Sequence, residues 1–219
     1  MLQDNIFKQF EGDNWFKRNQ RDINRRDFLK DDPVLKIVSL FNIVPRAVLE
    51  LGCANGYRLD YLRNAYKARC VGIDCSEMAV ADGKRRFKGI KLFCGGLEKL
   101  KFRDGRFDLA IVNFVFHWTD RKILPLVMRE ADRVLKNHGL IIIADFFPLY
   151  PKKIPYHHIS NYKVYTYKDD YAAMFKRLGC YQSIGRISGE CGTKKICVQL
   201  KYDFRLKADL LLKEDLLRK

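Results

Sequence analysis

Residues 48–56 read Val-Leu-Glu-Leu-Gly-Cys-Ala-Asn-Gly, and this stretch decides the fold. The apolar run at its start has the length of a buried strand and ends at a glycine. The small residues Gly52, Ala54 and Gly56 let the backbone turn sharply and let a ligand approach the main chain without meeting a side chain. Residues 56–65 then have the apolar spacing of a helix. The stretch therefore predicts a strand, a tight ligand-binding turn and a helix.

Strands and helices alternate along the central part of the chain. Short apolar runs predict further strands at residues 69–73, 90–94, 108–113 and 139–145, and helical spacing predicts helices at 78–87 and 122–135. The strands are apolar on both faces, which is typical of a parallel sheet covered by helices on both sides. We therefore predict an α/β fold with a doubly wound, Rossmann-like, mostly parallel sheet of seven strands.

The two ends of the chain differ from this core. Residues 1–45 are polar with scattered apolar positions and predict a helical N-terminal cap. Alternating residues at 181–187 and 195–202 predict a terminal antiparallel hairpin, which completes a core at 46–202. The last residues, 203–219, predict a C-terminal helix, so that the whole chain forms a single domain.

The connection between the core and the hairpin is rich in proline. Pro148, Pro151 and Pro155 predict an irregular segment through residues 154–158. Amphipathic spacing then predicts a helix over residues 167–178.

An acidic residue follows the second predicted strand. Asp74 lies 22 residues beyond Gly52, where a carboxylate can accept both hydroxyl groups of a ribose. A dinucleotide fingerprint would need a glycine at the position of Tyr57, and the carboxylate of Glu50 would repel a pyrophosphate. A cationic amino-acid ligand would not be repelled. The pattern therefore predicts a site for a nucleoside that carries a cationic amino-acid group instead of a pyrophosphate.

Four stretches carry a family resemblance through their order and spacing. They are residues 48–56, Gly-Ile-Asp-Cys-Ser at 72–76, Phe-Asp-Leu-Ala-Ile-Val-Asn at 107–113 and Arg-Val-Leu-Lys-Asn-His-Gly at 133–139. Together they resemble the class I S-adenosylmethionine-dependent methyltransferases, whose first motif has the form E/D-x-G-x-G-x-G. Ala54 replaces the middle glycine of that motif. The resemblance spans roughly residues 46–146 and implies S-adenosyl-L-methionine as the cofactor.

The resemblance also implies which positions hold this cofactor. It places Glu50 at the ligand's ammonium group, Asp74 at the ribose and Asn113 at the methyl-transfer site. Many relatives have an acidic residue facing the adenine amino group where this chain has Gly96, so that the backbone of Leu97 is the expected substitute. The resemblance places two residues against the adenine, Cys75 and Met78. It places the residues of the turn beneath the methionine portion: Gly52, Cys53, Ala54, Asn55 and Gly56.

Two flanking segments are similar to a subgroup of bacterial small-molecule methyltransferases. These are residues 7–19 and the pair of segments at 154–158 and 164–168. The similarity implies that the N-terminal helix folds over the cofactor, with Trp15 and Arg18 at its methionine end. An ordinary core aromatic is the alternative role for Trp15.

Methyl transfer to a hydroxyl group needs a base, whereas transfer to a free amine or thiol does not. His117 follows Asn113 just past a strand end, where open sheets bind ligands, and it is a candidate to touch the substrate. A buried, hydrogen-bonded side chain is the alternative. His157 and His158 lie on the expected substrate lid and are the other candidates for a base, while a loop histidine can also simply be exposed.

Composition limits the partners and the compartment. The 42 Lys and Arg against 26 Asp and Glu give a formal net charge of +16, but these charges are dispersed without a run of five like charges. The seven cysteines form no Cys-x-x-Cys pair, which predicts reduced thiols and no metal site. No signal peptide or membrane span is recognisable, so we expect a cytoplasmic protein.

The leading hypothesis is a methyltransferase acting on a small polar metabolite, such as a sugar or a specialised metabolite, by direct in-line attack. The positive charge leaves an anionic acceptor as a further expectation. Nucleic acid is disfavoured, because the Asn/Asp-Pro-Pro-aromatic and Pro-Cys motifs of the DNA enzymes are missing. The alternatives are an RNA or protein methyltransferase and a non-catalytic cofactor-binding partner subunit. The sequence leaves the oligomeric state open.

Overall fold

The parallel sheet that the alternating pattern predicts is present in a computed structural model, which describes residues 3–25, 32–178, 180–190 and 205–213. The strands of the main sheet are β1 Ala47–Leu51, β2 Arg69–Asp74, β3 Lys91–Cys94, β4 Phe107–Asn113, β5 Leu135–Phe147, β8 Tyr181–Glu190 and β9 Arg205–Lys213. A separate two-stranded sheet is formed by β6 Lys152–Pro155 and β7 Tyr165–Lys168.

The strand order in the main sheet is β3-β2-β1-β4-β5-β9-β8. The first five strands are parallel, and β9 and β8 extend them as an antiparallel pair, which confirms the predicted fold class. The order reverses between β1 and β4, and such a switch point opens a ligand-binding crevice at the carboxyl ends of the strands.

Helices cover both faces of the sheet. In the described residues they are α1 Gln3–Ile6, α2 Gly12–Ile23, α3 Pro33–Leu40, α4 Tyr57–Tyr66, α5 Glu77–Arg86, α6 Leu124–Val134 and α7 Tyr171–Lys176, with a π-helix at Phe7–Glu11 and a 3-10 helix at Phe116–Trp118. Alternate residues of β1 enter different hydrophobic layers, with Leu49 on one face and Val48 on the other. Both layers are buried, as a doubly wound sheet requires. None of these helices is long and apolar enough to cross a membrane.

The predicted C-terminal helix is wrong for residues 205–213, which form β9. This strand pairs with the last eight residues of β5, from Leu140↔Leu212 to Phe147↔Arg205. Backbone groups along the edge of β5 need partners, and an added strand supplies them. Apolar residues at every second position from 206 to 212 were a signal for this strand. The strand predicted at 195–202 lies outside the described residues.

The proline-rich connection also differs from its prediction. Of the segment predicted as irregular, 154–158, residues 154–155 belong to β6, which pairs with β7 as an antiparallel strand. The predicted helix over 167–178 is shortened for the same reason, since its first residues belong to β7. Helix α7 begins only after Asp170, whose side chain accepts a hydrogen bond from the backbone of Ala173 at 2.9 Å.

Glu130 on α6 provides a test of how this face of the fold is held. Its buried carboxylate accepts hydrogen bonds from Leu100 N at 2.7 Å and from Arg133 Nε at 2.8 Å. The bonds from Arg133 hold the pKa of Glu130 below its usual value. We expect Glu130→Gln to lower the free energy of unfolding at neutral pH by about 1.5–3 kcal/mol, because hydrogen bonds to a charged group are lost.

The pH dependence of this difference has a defined sign. A lowered pKa in the folded state contributes stability above the unfolded pKa, which is lost as pH falls through the folded value. The difference between wild type and Glu130→Gln should therefore shrink below about pH 4.5 in urea unfolding curves. Glu77→Gln, at an exposed helix start, is the control. A difference that stays constant into acid would contradict the assignment.

Candidate functional site

The turn after β1 lies at the switch point of the sheet. Gly52 has a φ of 73° and Ala54 a φ of 49°, both in the left-handed region. A Cβ atom on Gly52 would lie 2.2 Å from Val115 Cγ2, on the loop that follows β4. The missing side chain at position 52 therefore lets the two loops at the switch point pack against each other.

Asp74 ends β2 beside this turn. Its two carboxylate oxygens each accept one backbone hydrogen bond, from Ala54 N at 2.7 Å and from Ser76 N at 2.9 Å. A carboxylate offers about four acceptor positions, so two remain for ligand hydroxyl groups. Burial raises the pKa of the Asp74 carboxyl above its usual value. The two backbone hydrogen bonds thus hold the Asp74 carboxylate in one orientation and leave acceptor positions for a ligand.

Glu50 is fully buried in β1 and points into the layer beneath α3 and α4. Its Oε1 atom pairs with Arg58 Nη1, and Arg58 Nη2 lies 2.8 Å from Asp32 Oδ2 at the start of α3. The other oxygen, Oε2, has no hydrogen-bond partner among the described residues. Two buried carboxylates thus pair with one guanidinium near the turn.

The N-terminal segment crosses the carboxyl ends of β2 and β3. Asp13 accepts a hydrogen bond from Ser76 Oγ at 2.6 Å and another from Met78 N at 3.0 Å. Lys8 forms an ion pair with Glu98 on the loop after β3. The helical cap that the sequence predicts is therefore bound to the loops after β2 and β3.

Arg18 and Trp15 lie on the inner side of this cap. Arg18 pairs with Glu11 and donates to the hydroxyl group of Tyr156 at 3.1 Å, and that hydroxyl donates to Glu11 at 2.7 Å. The ring of Trp15 meets that of Trp118 edge-on, with centroids 5.9 Å apart. The cap thus joins the segments after β4 and β6 through one polar and one aromatic cluster.

The positions expected to hold adenine lie around the end of β2. Cys75 is half-buried against Gly12 of the cap, and Met78 is 39% exposed. A Cβ atom on Gly96 would lie 2.3 Å from Glu98 Oε2. The ion pair of Glu98 with Lys8 therefore lies directly beside the backbone of Gly96.

A second cluster lies at the ends of β4 and β5, on the other side of the switch point. Asn113 ends β4, and its buried Oδ1 atom has no hydrogen-bond partner among the described residues. His117 is 2% exposed, and its Nδ1 atom lies 2.8 Å from Asp145 Oδ1. The backbone of His117 donates to the other oxygen of Asp145 at 3.3 Å.

His157 and His158 have different surroundings. Both side chains are exposed, and their rings lie with centroids 3.9 Å apart beside Tyr156. Partial burial, His157 and Arg18 lower the pKa of His158. No described carboxylate forms an ion pair with either ring, in contrast to His117.

Most of the predicted site residues in the core therefore form two groups at the carboxyl ends of the parallel strands. The group at β1 and β2 contains the turn residues, Asp74, Cys75 and Met78, and the group at β4 contains Asn113 and His117. Cys53 and Asn55 are buried within the turn, and Asn55 donates to Asp82 at 2.9 Å. Leu97 is half-buried. Within the described part of the chain, no three His, Cys, Asp or Glu side chains are grouped to hold a metal ion.

Four polar residues of this region were not found from the sequence as site residues. Asp13, Arg58 and Glu98 contact predicted residues from distant positions, and nothing in their local sequence indicates this. Asp145 was predicted only as the last residue of the strand at 139–145. Its position at the carboxyl end of a parallel strand was a usable signal.

Comparison with known proteins agrees with this geometry. Residues 49–143 match a family model described as "Methyltransferase domain". A malonyl-[acyl-carrier protein] O-methyltransferase of Legionella pneumophila is 34% identical over 111 residues, which are 48% of this chain and 38% of that protein. The human mitochondrial arginine-hydroxylase NDUFAF5 is 27% identical over 136 residues, which are 61% of this chain and 39% of that protein. The similarity thus spans about two fifths of the length of these relatives.

A solved structure extends the similarity in fold to most of the chain. The 1,6-didemethyltoxoflavin-N1-methyltransferase of Burkholderia thailandensis, with bound 1,6-didemethyltoxoflavin and S-adenosylhomocysteine, has a TM-score of 0.69. The match covers 92% of this chain and 87% of that chain at 15% identity. At this identity the likeness concerns the fold.

Proposed function

Residues 49–143 form a domain of the class I S-adenosylmethionine-dependent methyltransferase family, and we propose that the chain transfers a methyl group from this cofactor to a small polar metabolite. The observation that carries the proposal is a set of three buried side-chain atoms without a hydrogen-bond partner. Among the described residues these are Glu50 Oε2, Asn113 Oδ1 and His117 Nδ1. Buried polar atoms of this kind call for a ligand or water.

The residues at the turn fit the cofactor's chemistry. S-adenosylmethionine supplies an electrophilic methyl group on a positively charged sulfur. Asp74 has acceptor capacity for two ribose hydroxyl groups. The unpartnered Oε2 atom of Glu50 favours a cationic amino-acid portion over a pyrophosphate.

The cap would contribute by positioning the reactants and excluding water. It is bound to the nucleoside side through Asp13 and to the other side through the ring contact of Phe7 with Trp118, whose centroids are 5.4 Å apart. Methyl transfer depends strongly on in-line positioning of the two reacting atoms. We assign Trp15 and Arg18, on the inner side of the cap, to the methionine end of the cofactor.

The surroundings of His117 support a small acceptor. The rings of Trp118 and Phe146 lie 4.4 and 4.9 Å from its ring, centroid to centroid, and enclose it. The enclosure favours a metabolite over a polymer. A sugar derivative or a specialised metabolite meets this condition.

The test is a labelling experiment with three acceptor pools. The protein is incubated with S-adenosylmethionine labelled with ¹³C in its methyl group and with a small-molecule extract, total RNA or total protein of the source cells. We expect labelled product in the small-molecule pool, identified by mass spectrometry. Label in RNA or protein instead would overturn the metabolite assignment. Binding of the cofactor without label in any pool would favour the non-catalytic partner subunit.

A further inference from the structure

The contact between His117 and Asp145 joins two segments that are far apart in the chain. Asp145 is 4% exposed near the end of β5, and its Oδ1 atom lies 2.8 Å from Nδ1 of His117. The same carboxylate accepts from the backbone nitrogens of His117 at 3.3 Å and Phe146 at 2.7 Å. The carboxylate is thus held by the main chain on two sides while it faces the imidazole ring.

The contact between the two side chains is electrostatic. Nδ1 lies 2.8 Å from the Asp145 carboxylate within ion-pair distance, but it has no hydrogen-bond partner among the described residues. A negative charge at this distance stabilises positive charge that develops on the ring in a transition state. The rings of Phe114, Trp118 and Phe146 surround the histidine and restrict the number of orientations open to it.

The pair lies beside the proposed cofactor site. Val115, two residues before His117, packs against the backbone of Gly52, where a Cβ atom would collide with its Cγ2 atom at 2.2 Å. Asn113 pairs in register with Ala144, the neighbour of Asp145. The histidine and its carboxylate therefore belong to the loops that face the turn across the switch point.

We propose that His117, oriented by Asp145, removes a proton from a hydroxyl group of the acceptor, so that the methyl group is transferred to oxygen. The inference rests on the proposed function. The O–H bond of the acceptor breaks and its proton passes to Nε2 of His117, while the oxygen forms the new bond to the methyl carbon. The electron pair of the broken sulfur–carbon bond stays on sulfur, which becomes a neutral thioether.

Only one class of acceptor needs a general base during the transfer step. A carboxylate or a thiolate already presents a lone pair, and an ammonium group can lose its proton to water beforehand, whereas an alcohol keeps its proton until it reacts. A histidine buried against a carboxylate is superfluous for the first group and useful for the second. His117 is thereby the catalytic residue and Asp145 a positioning residue, while His157 and His158 are assigned no proton transfer.

The atom that receives the methyl group can be measured directly. The ¹³C-labelled product from the small-molecule pool is analysed by NMR, because the methyl carbon shift differs between O-, N-, S- and C-methyl groups. We expect an O-methyl ether. An N-, S- or C-methyl product, or a methyl ester, would overturn the hydroxyl assignment and leave the proposed function intact. A wild-type protein that labels no pool would overturn both.

The roles of the two residues are separated by kinetics on that acceptor. We expect His117→Asn to lower kcat at least 100-fold with little change in the affinity for S-adenosylmethionine, since a general base contributes about 10²–10⁴-fold. His138→Asn is the matched control, because His138 is exposed and has a φ of 58°, which asparagine tolerates. Added imidazole should restore part of the activity of His117→Ala, which a purely structural role would not produce.

The role of Asp145 is tested with one variant that removes its charge and one that keeps it. Asp145→Asn should lower kcat more than it changes KM, and Asp145→Glu should recover part of the loss. Full activity in His117→Asn, or failure of imidazole to restore a folded His117→Ala protein that still binds the cofactor, would refute the assignment. Circular dichroism and cofactor calorimetry identify any variant that fails to fold. If the His117 variants do not fold, the kcat of Asp145→Asn alone decides whether the pair acts in catalysis.

Discussion

Asp74→Asn is expected to weaken the binding of S-adenosylmethionine by about 100-fold or more. The carboxylate of Asp74 is held by Ala54 N and Ser76 N with two acceptor positions left for the ribose. Hydrogen bonds to a charged group contribute about 1.5–3 kcal/mol each, and the amide cannot replace both. A loss of about 3 kcal/mol corresponds to a factor of roughly 100 in affinity.

Isothermal titration calorimetry with S-adenosylmethionine measures this effect. Asp60→Asn is the matched control, because Asp60 lies on α4, where its side chain contacts only the neighbouring turn: Arg63 at 3.8 Å and Asn64 Nδ2 at 3.0 Å. We expect the control to bind like the wild type. Equal affinities for wild type and Asp74→Asn would show that the ribose does not bind at the end of β2.

Arg58→Met is expected to lower the free energy of unfolding by about 3–5 kcal/mol. The guanidinium is 2% exposed and pairs with the fully buried carboxylates of Glu50 and Asp32. Removing one partner of a buried ion pair leaves uncompensated charge in a medium that solvates it poorly. The methionine keeps most of the apolar stem, so that the loss reports the charge rather than the packing.

The same substitution on the outer face of α4 provides the comparison. Arg63 is 41% exposed, and exposed ion pairs contribute at most about 1 kcal/mol, so Arg63→Met should have a small effect. Urea unfolding of the two variants, without added cofactor, gives both values. If Arg58→Met destabilises the protein no more than Arg63→Met, then Arg58 does not compensate these carboxylates.

The parallel sheet was predictable because its signal is local and repeated. Each strand is a short apolar run, and each is separated from the next by a turn or a helix with its own spacing. The turn at 48–56 was readable for a related reason: its small residues at alternate positions reflect the left-handed φ angles at Gly52 and Ala54. Asp74 followed from its distance along the chain and from the geometry common to such sheets.

The C-terminal strand β9 shows where local patterns are insufficient. Residues 206–217 contain enough leucines to satisfy a helix, while residues 206–212 also alternate as a strand does. The exposed edge of β5 decides between them, because its backbone groups pair with eight residues of β9. That edge exists only once the other strands have assembled.

The acidic partners in the site were hidden for a similar reason. Glu50 is the expected acidic residue of the turn, yet one of its oxygens is engaged by Arg58, which no motif indicates. Glu98 lies beside Gly96 because the loop after β3 returns on itself, where it meets Lys8 of the cap. These pairs depend on long-range contacts, which residue types and spacing along the chain do not encode.

Spacing and residue type along the chain were enough to establish the doubly wound sheet, the glycine turn and the ribose carboxylate, because these features depend on neighbours within a few turns or on a fixed strand–helix–strand distance. Which histidine has a carboxylate beside it was decided only by the tertiary structure. The register of β4 and β5 brings Asp145 to His117 across 28 residues and leaves His157 and His158 exposed. Hydrogen bonding between parallel strands sets that register, and the chemistry at the strand ends follows from it.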